Sequence, residues 1–336
     1  LGKESKVPEG KWGKIVHDKN SMWIASWMDA LTQKRKYVWL ADTAGIKQER
    51  DQAKYDKAIR LAKEIENVRV HIAKDMQSKE HKTKRIATAC YLIYRTAMRV
   101  GDEKDPDEAD TVGATTLRKE HIKLTENSIE FDFLGKDSVR WRETIPAEGL
   151  DKQLHDNLKE LVANKKNTQE IFHGITSRHV NAYYSTLVKG LTAKVFRTYL
   201  ASSVVSKYLR NHDNIKSESN MKKLFHAKMA NLNSAIMCNH KRTIPKNFEQ
   251  SLQKKKDTLS NVEKSKPWLK SEESLKKAES IAQKTKKQKE RVKKIKIQIR
   301  NRKAKHAERI EKLQLQIKLT QKTRDHNLGT SLRNYI

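Results

Sequence analysis

The sequence predicts an α+β chain that is mainly helical, and three observations predict it. Apolar residues recur at helical spacing through most of the chain. Strand-like alternation is confined to two patches, near residues 22–40 and 128–142. Residues 247–322 contain no glycine and one proline, Pro267, and carry isoleucine and leucine at heptad-like spacing.

Residues 1–46 are rich in tryptophan (Trp12, Trp23, Trp27, Trp39), and Met22-Trp23-Ile24 and Tyr37-Val38-Trp39-Leu40 read as strands. From residue 47 the period changes. Ala58, Ile59, Leu61, Ala62, Ile65, Val68 and Ile72 define a first helix. A second runs from about Lys82 to Val100, with Gly101 placed as its left-handed cap. Ile129 to Leu134 alternates, Gly135-Lys136-Asp137 turns and Ser138 to Trp141 returns, which is a hairpin. Helical patterns resume from about 150 to 240, and Gly190 to Tyr199 opens one of them. In residues 247–322, Val292, Ile295 and Ile299 repeat, as do Ile310, Leu313 and Ile317. The charge there also fits a disordered basic tail. Two long antiparallel helices turning near 280–290 are the favoured reading, because a disordered tail would leave those side chains exposed.

The 336 residues include 72 Lys and Arg against 41 Asp and Glu, a formal net charge of +31. Residues 247–322 hold 24 of the basic and 9 of the acidic residues, about half the surplus. Nucleic acid is the partner such a charge implies, since each phosphate neutralised releases a counterion. A membrane-surface protein would need an aromatic-lined amphipathic helix or a lipidation signal, and neither is found. No stretch of about 18 apolar residues is present for a bilayer-spanning helix. Cys90 and Cys238 are the only cysteines and form no CxxC pair, against a zinc ribbon or disulfide scaffold. No Walker loop, GxGxxG or HExxH is found. The chain begins Leu1-Gly2, which reads as a fragment or a processed product.

DNA can be cut and rejoined without metal or ATP if a side chain stores the phosphodiester energy as a covalent ester. That chemistry needs fixed cationic donors for the charge on the phosphorane and an acid for the leaving oxygen. Tyr, paired Arg, His and Lys are the natural residues, because the planar arginine fork matches two phosphate oxygens. Composition alone does not select them.

Five separated motifs do. Tyr94 to Lys104 with Ala109 to Gly113, the hairpin Glu130 to Ser138, Gly190 to Tyr199, Cys238-Asn239-His240, and Leu328 to Ser331 with Asn334-Tyr335 together resemble the eukaryotic type IB DNA topoisomerases. Gly10-Lys11-Trp12 to Leu40 is similar as well. The resemblance implies that Arg99 and Arg197 hold the non-bridging oxygens of the scissile phosphate. Lys136 would be the general acid toward the 5′-oxygen, His240 a donor to the phosphate and Tyr335 the nucleophile. Lys104, Thr111, Asp137, Lys194 and Asn334 would be further DNA contacts. Asp137 and Asn334 also match positions on which camptothecin-like poisons lean. Lys194 stands where tyrosine recombinases, the nearest alternative enzymes, usually carry a histidine. A non-catalytic basic DNA-binding protein is the alternative from another class. The segment before Tyr335 departs from the family's usual Ser-Lys-x-Asn-Tyr by Leu332 and Arg333.

The implied organisation is a remnant of an upper clamp lobe over 1–46, a catalytic lobe over 47–246, a basic coiled-coil linker over 247–322 and a nucleophile segment over 323–336. The implied fold is that of a DNA breaking-rejoining catalytic domain with a three-stranded element around Lys136. Expected with it are relaxation of supercoiled double-stranded DNA without cofactor, a monomeric protein with a missing N-terminal lobe truncated or on another chain, and a nuclear or organellar location.

Overall fold

The computed structural model describes residues 6–18, 20–101, 112–135, 138–280 and 285–328, Asp213 by its backbone alone. The chain is mainly helical with two small antiparallel sheets. Strands β1 (Trp23–Met28) and β2 (Arg35–Trp39) pair near its start, with an irregularity in register between Trp23 and Ala25. Trp23, Tyr37 and Trp39 cluster there, with ring centroids 5.7 and 5.4 Å apart. Much of this sheet stays exposed, Trp39 included.

Helix α1 (Gly45–Asp75) buries only Ala58, Leu61, Val68 and Ile72, so its apolar stripe is narrower than the sequence suggests, and Ile59 and Ala62 face solvent. After a turn, Glu80 caps α2 (His81–Thr96) by accepting the backbone N–H groups of Lys82 and Thr83. α2 is the central core helix, with the run from Ala87 to Ile93 buried. It ends four residues earlier than expected. Ala97, not Gly101, is the left-handed residue that caps it, at φ 51°. Gly101 serves a different purpose, described below.

The second sheet has order β3 (Ile122–Leu124), β4 (Ser128–Leu134), β5 (Arg140–Pro146). Alternation decides its faces: Ile129, Phe131, Phe133, Trp141 and Ile145 are buried, with Phe133 and Trp141 stacked at 5.0 Å. On the other face Asp132 accepts two bonds from Arg140 and one from Arg142, 2.7–2.9 Å, and these cations hold its carboxyl down at about 2. Both clamps are exposed, so they fix register more than they stabilise.

Helices α3 (Leu150–Val162), α4 (Ser177–Leu187), α5 (Ala193–Arg210) and α6 (Asn220–Met237) complete the globular part. Thr192 caps α5 by accepting the Val195 N–H. α5 packs against α1, α2 and α6. Phe196 on α5 is fully buried, stacked on Tyr184 at 4.8 Å and edge-on to Tyr94 at 5.9 Å. Burial of that kind makes a Phe196→Ala change cost about 3–5 kcal/mol.

The basic segment folds as α7 (Phe248–Lys264), α8 (Leu269–Glu279) and α9 (Lys286–Lys322). The expected first arm is thus two helices, interrupted around Pro267, which cannot supply an amide to a continuous helix. Both pack antiparallel to α9, as bonds from Lys255 to Thr320, His306 to the Val262 carbonyl and Arg302 to Ser271 show. The seam is thin. In α9 only Ile299 is buried among the described residues, while Val292, Ile295, Ile310, Leu313 and Ile317 are half-buried. Of the turn expected near 280–290, residues 281–284 lie outside the described residues, and residues 286–290 already belong to α9.

Candidate active site

A cavity of about 310 Å³ lies where the ends of several elements meet. Arg99 from the segment after α2, Arg197 from α5 and His240 from the segment after α6 all line it. Gly135 and Val139, from the β4–β5 connection, line it too, with Phe133, Trp141 and Asn327.

Each cation is placed by backbone. Arg197 sits in the second turn of α5 and is 7% exposed. Its Nε–H donates to the Ala97 carbonyl at 2.6 Å. That carbonyl is turned by the left-handed residue ending α2. With Nε so engaged, the terminal nitrogens of the fork are what Arg197 has to offer a ligand. Arg99, two residues after that cap, is exposed on the rim.

The Arg99 segment is locked against residues 112–116. Ala114 and Thr115 donate to the carbonyls of Arg99 and Val100 at 2.8 and 2.7 Å, and Val112 donates to Leu134 of β4 at 2.8 Å. This works only because Gly101 and Gly113 lie back to back. A Cβ on Gly113 would stand 2.4 Å from the Gly101 nitrogen and 2.8 Å from the Arg99 carbonyl oxygen. Gly101 itself has φ +83°. One pair of glycines therefore ties the arginine to the hairpin.

His240 follows Asn239, which is left-handed at φ 52° and donates from Nδ2 to the Arg140 carbonyl at 3.2 Å. The end of α6 is thus fastened to the start of β5. Burial, then the charges of Arg197 and Arg99, push the His240 imidazole down to about 4. Burial leads this shift, and the two guanidinium charges that share the cavity with the ring add to it. Of the four non-glycine residues with positive φ among the described residues, Ala97 and Asn239 line the cavity and Ser138 stands in the connection beside it. Backbone held in this region gathers where a site must be shaped.

Sequence reasoning named Arg99, Arg197 and His240, and one cavity gathers them. Lys194 is exposed on α5, three residues before Arg197, and does not line it. Lys104, Thr111, Lys136, Asp137, Asn334 and Tyr335 lie outside the described residues. Sequence reasoning gave no role to Ala97 or Asn239, though both lie within its motifs, and did not single out Asn327. Their contribution is backbone conformation or pairing with distant segments, and no residue pattern signals it.

Residues 43–273 match the family model of the eukaryotic DNA topoisomerase I catalytic core, and residues 1–40 that of the same family's DNA-binding fragment. Curated relatives named DNA topoisomerase 1 include one from Caenorhabditis elegans, 35% identical over the whole chain and 41% of its own length. One from Drosophila melanogaster is 37% identical over 77% of the chain and 27% of its own length. Another, from Homo sapiens, is 38% identical over 74% of the chain and 34% of its own length. The chain belongs to the eukaryotic DNA topoisomerase I family. It spans about two fifths or less of the length of these relatives.

Proposed function

We propose that the chain carries the catalytic part of a type IB DNA topoisomerase, which relaxes supercoiled duplex DNA through a transient single-strand break. The observation that carries this reading is the convergence of Arg99, Arg197 and His240 on one cavity in a chain of this family.

In this reading a backbone phosphate enters between the three side chains. The hydroxyl oxygen of Tyr335 attacks phosphorus, the bond to the 5′-oxygen breaks, and a 3′-phosphotyrosyl ester forms. Lys136 gives a proton to the leaving 5′-oxygen, and the tyrosine proton leaves to solvent. Arg99 and Arg197 hold the non-bridging oxygens as charge builds on the phosphorane, where fixed donors are most effective. His240, neutral in the free protein, adds one N–H donor. The nicked strand then rotates, and the 5′-hydroxyl attacks the ester to restore the phosphodiester. The ester conserves the bond energy, so the cycle needs neither ATP nor metal. Around the site, the exposed lysines of α7–α9 would hold duplex phosphates without reading bases, as counterion release allows.

Residues 1–46 would close an upper lobe, 47–246 form the catalytic lobe, 247–322 the linker and 323–336 the nucleophile segment. We place the protein on nuclear DNA as a monomer. The test is relaxation of a negatively supercoiled plasmid by the full-length protein in EDTA without ATP. Relaxation by the unsubstituted protein and none by Tyr335→Phe is expected. Equal relaxation by both, or a strict need for ATP, would overturn the reading.

A further inference from the structure

We propose that Arg242 is a positioning residue: it clasps the C-terminal end of the linker helix α9 to the His240 loop and so sets where the nucleophile segment starts. This rests on the reading of Tyr335 as nucleophile.

α9 ends at Lys322, and a helix leaves its last carbonyls without intrahelical partners. Arg242, 81 residues earlier than Thr323, supplies donors for this end. Its Nη2 donates to the Thr323 carbonyl at 3.1 Å and its Nε to the Arg324 carbonyl at 3.4 Å. A cation at a helix C-terminus is also favoured by the helix dipole. The backbone continues the same join. The Arg242 N–H donates to the Asp325 carbonyl at 2.9 Å, and the Asn327 N–H donates to the His240 carbonyl at 2.7 Å. Lys241 and His326 face each other between them as an antiparallel bridge.

The consequence is geometric. Residues 240–242 and 325–327 run side by side, so the chain leaving α9 is registered against the histidine of the cavity, and Asn327 itself lines that cavity. Tyr335 lies eight residues beyond Asn327, a reach of at most about 29 Å from a fixed point on the cavity wall. Other contacts hold the base of the hairpin, Arg324 to Glu249 of α7 at 3.4 Å and Glu311 to Lys222 of α6 at 2.8 Å, but neither reaches the His240 loop itself. Losing the clasp moves the last fixed point back to Lys322, thirteen residues before Tyr335. That dilutes the nucleophile only about twofold by chain statistics. The larger loss is the approach direction, to which attack on phosphorus is sensitive.

A positioning role predicts an asymmetry that simple helix capping does not. Cleavage needs a free tyrosine brought to the phosphate. Religation starts from a tyrosine already held there by its own ester. The test uses the full-length protein with Arg242→Met and Arg242→Lys. Single-turnover cleavage is followed on a DNA strand with a nick close behind the break, which traps the adduct. Religation is started by adding a 5′-hydroxyl strand to the trapped adduct. Arg242→Met should cleave about tenfold slower, religate within about twofold of the unsubstituted rate, and bind DNA with unchanged Kd. Arg242→Lys, which can still reach one carbonyl, should recover part of the cleavage rate. Amide exchange at Arg242 and Asn327 should quicken in Arg242→Met. Equal slowing of both steps, unchanged cleavage, or unchanged amide protection would overturn the proposal. No adduct from the unsubstituted protein would end the functional reading and Tyr335's role with it. Amide exchange would still decide, independently of activity, whether Arg242 holds the end of α9.

Discussion

The cavity and the helical hairpin are both basic, yet they use charge in opposite ways. In the hairpin the cations stand in solvent along α7, α8 and α9, and the paired ones, such as Lys296 with Glu279 and Lys303 with Glu272, remain largely exposed. Solvent and salt screen such charges, and each contributes little by itself. In the cavity Arg197 is almost fully enclosed and fixed through its Nε to a left-handed carbonyl, and its field reaches His240 strongly enough to help hold that imidazole neutral. The same element of composition thus gives diffuse attraction in one place and preorganised electrostatics in the other. Number of charges governs the first, and placement governs the second.

The sharpest way to break this comparison is to remove a placed charge. Arg197→Ala should lower single-turnover strand cleavage by about 10³-fold while changing low-salt DNA affinity little. Arg197→Lys should remain at least about 10²-fold down, because a lysine loses the fork and the Ala97 anchor together. Near-normal cleavage by Arg197→Lys would show that charge alone suffices, and the contrast between cavity and hairpin would collapse.

Next in size is the backbone that does the placing. Gly113→Ala drives a Cβ into the Gly101 backbone, so something must move. We expect a loss of about 3 kcal/mol in unfolding free energy, or a displaced Arg99 with a matching loss of cleavage. Urea denaturation and cleavage kinetics together check this. Full stability with full activity would mean the glycine pair is dispensable.

His240 gives a smaller, sharper readout. Its ring titrates near 4 in the free protein, below the ordinary histidine value. The unfolded chain therefore takes up this proton first. Stability is unaffected above about pH 6.5 and falls as pH drops from there through about 4, and His240→Gln should remove that part of the acid sensitivity. A DNA phosphate supplies the missing negative charge, so in a Tyr335→Phe complex the ring should titrate at least about one unit higher. Nitrogen chemical shifts of the imidazole report both values. An unmoved titration on DNA binding would place the phosphate elsewhere.

Least of all should follow from the hairpin. Lys293 and Lys294 are exposed on α9. Changing both to Gln should reduce the salt slope of DNA binding by at most about two and leave cleavage within about twofold. A large loss of cleavage would give the hairpin charges a role in placement.

The sequence disclosed elements and residues whose signals are local. The β4–β5 alternation, the heptad-like positions of α9 and the motifs around Arg99, Arg197 and His240 each sit in one short stretch. What escaped depends on juxtaposition. Gly101 follows an apolar run and so reads as a helix cap, yet its neighbour in space is Gly113, twelve residues on. The stripe on α1 looked wider because Ile59 and Ala62 fit the period, though both are exposed among the described residues. Pro267 was visible, but the helix on each side keeps its contact with α9, so the arm is interrupted without leaving its partner. Arg242 gave no sign among 72 basic residues, because its partners are carbonyls more than eighty residues away.

The central claim is that the cavity lined by Arg99, Arg197 and His240 holds the phosphate attacked by Tyr335. The direct measurement is to trap the covalent adduct of the full-length protein with a nicked oligonucleotide and map the modified residue by mass spectrometry. The account predicts one adduct, a 3′-phosphate on Tyr335, lost in Tyr335→Phe and in Arg197→Ala even though both variants still bind the DNA. An adduct on another residue, or undiminished trapping by Arg197→Ala, would contradict it.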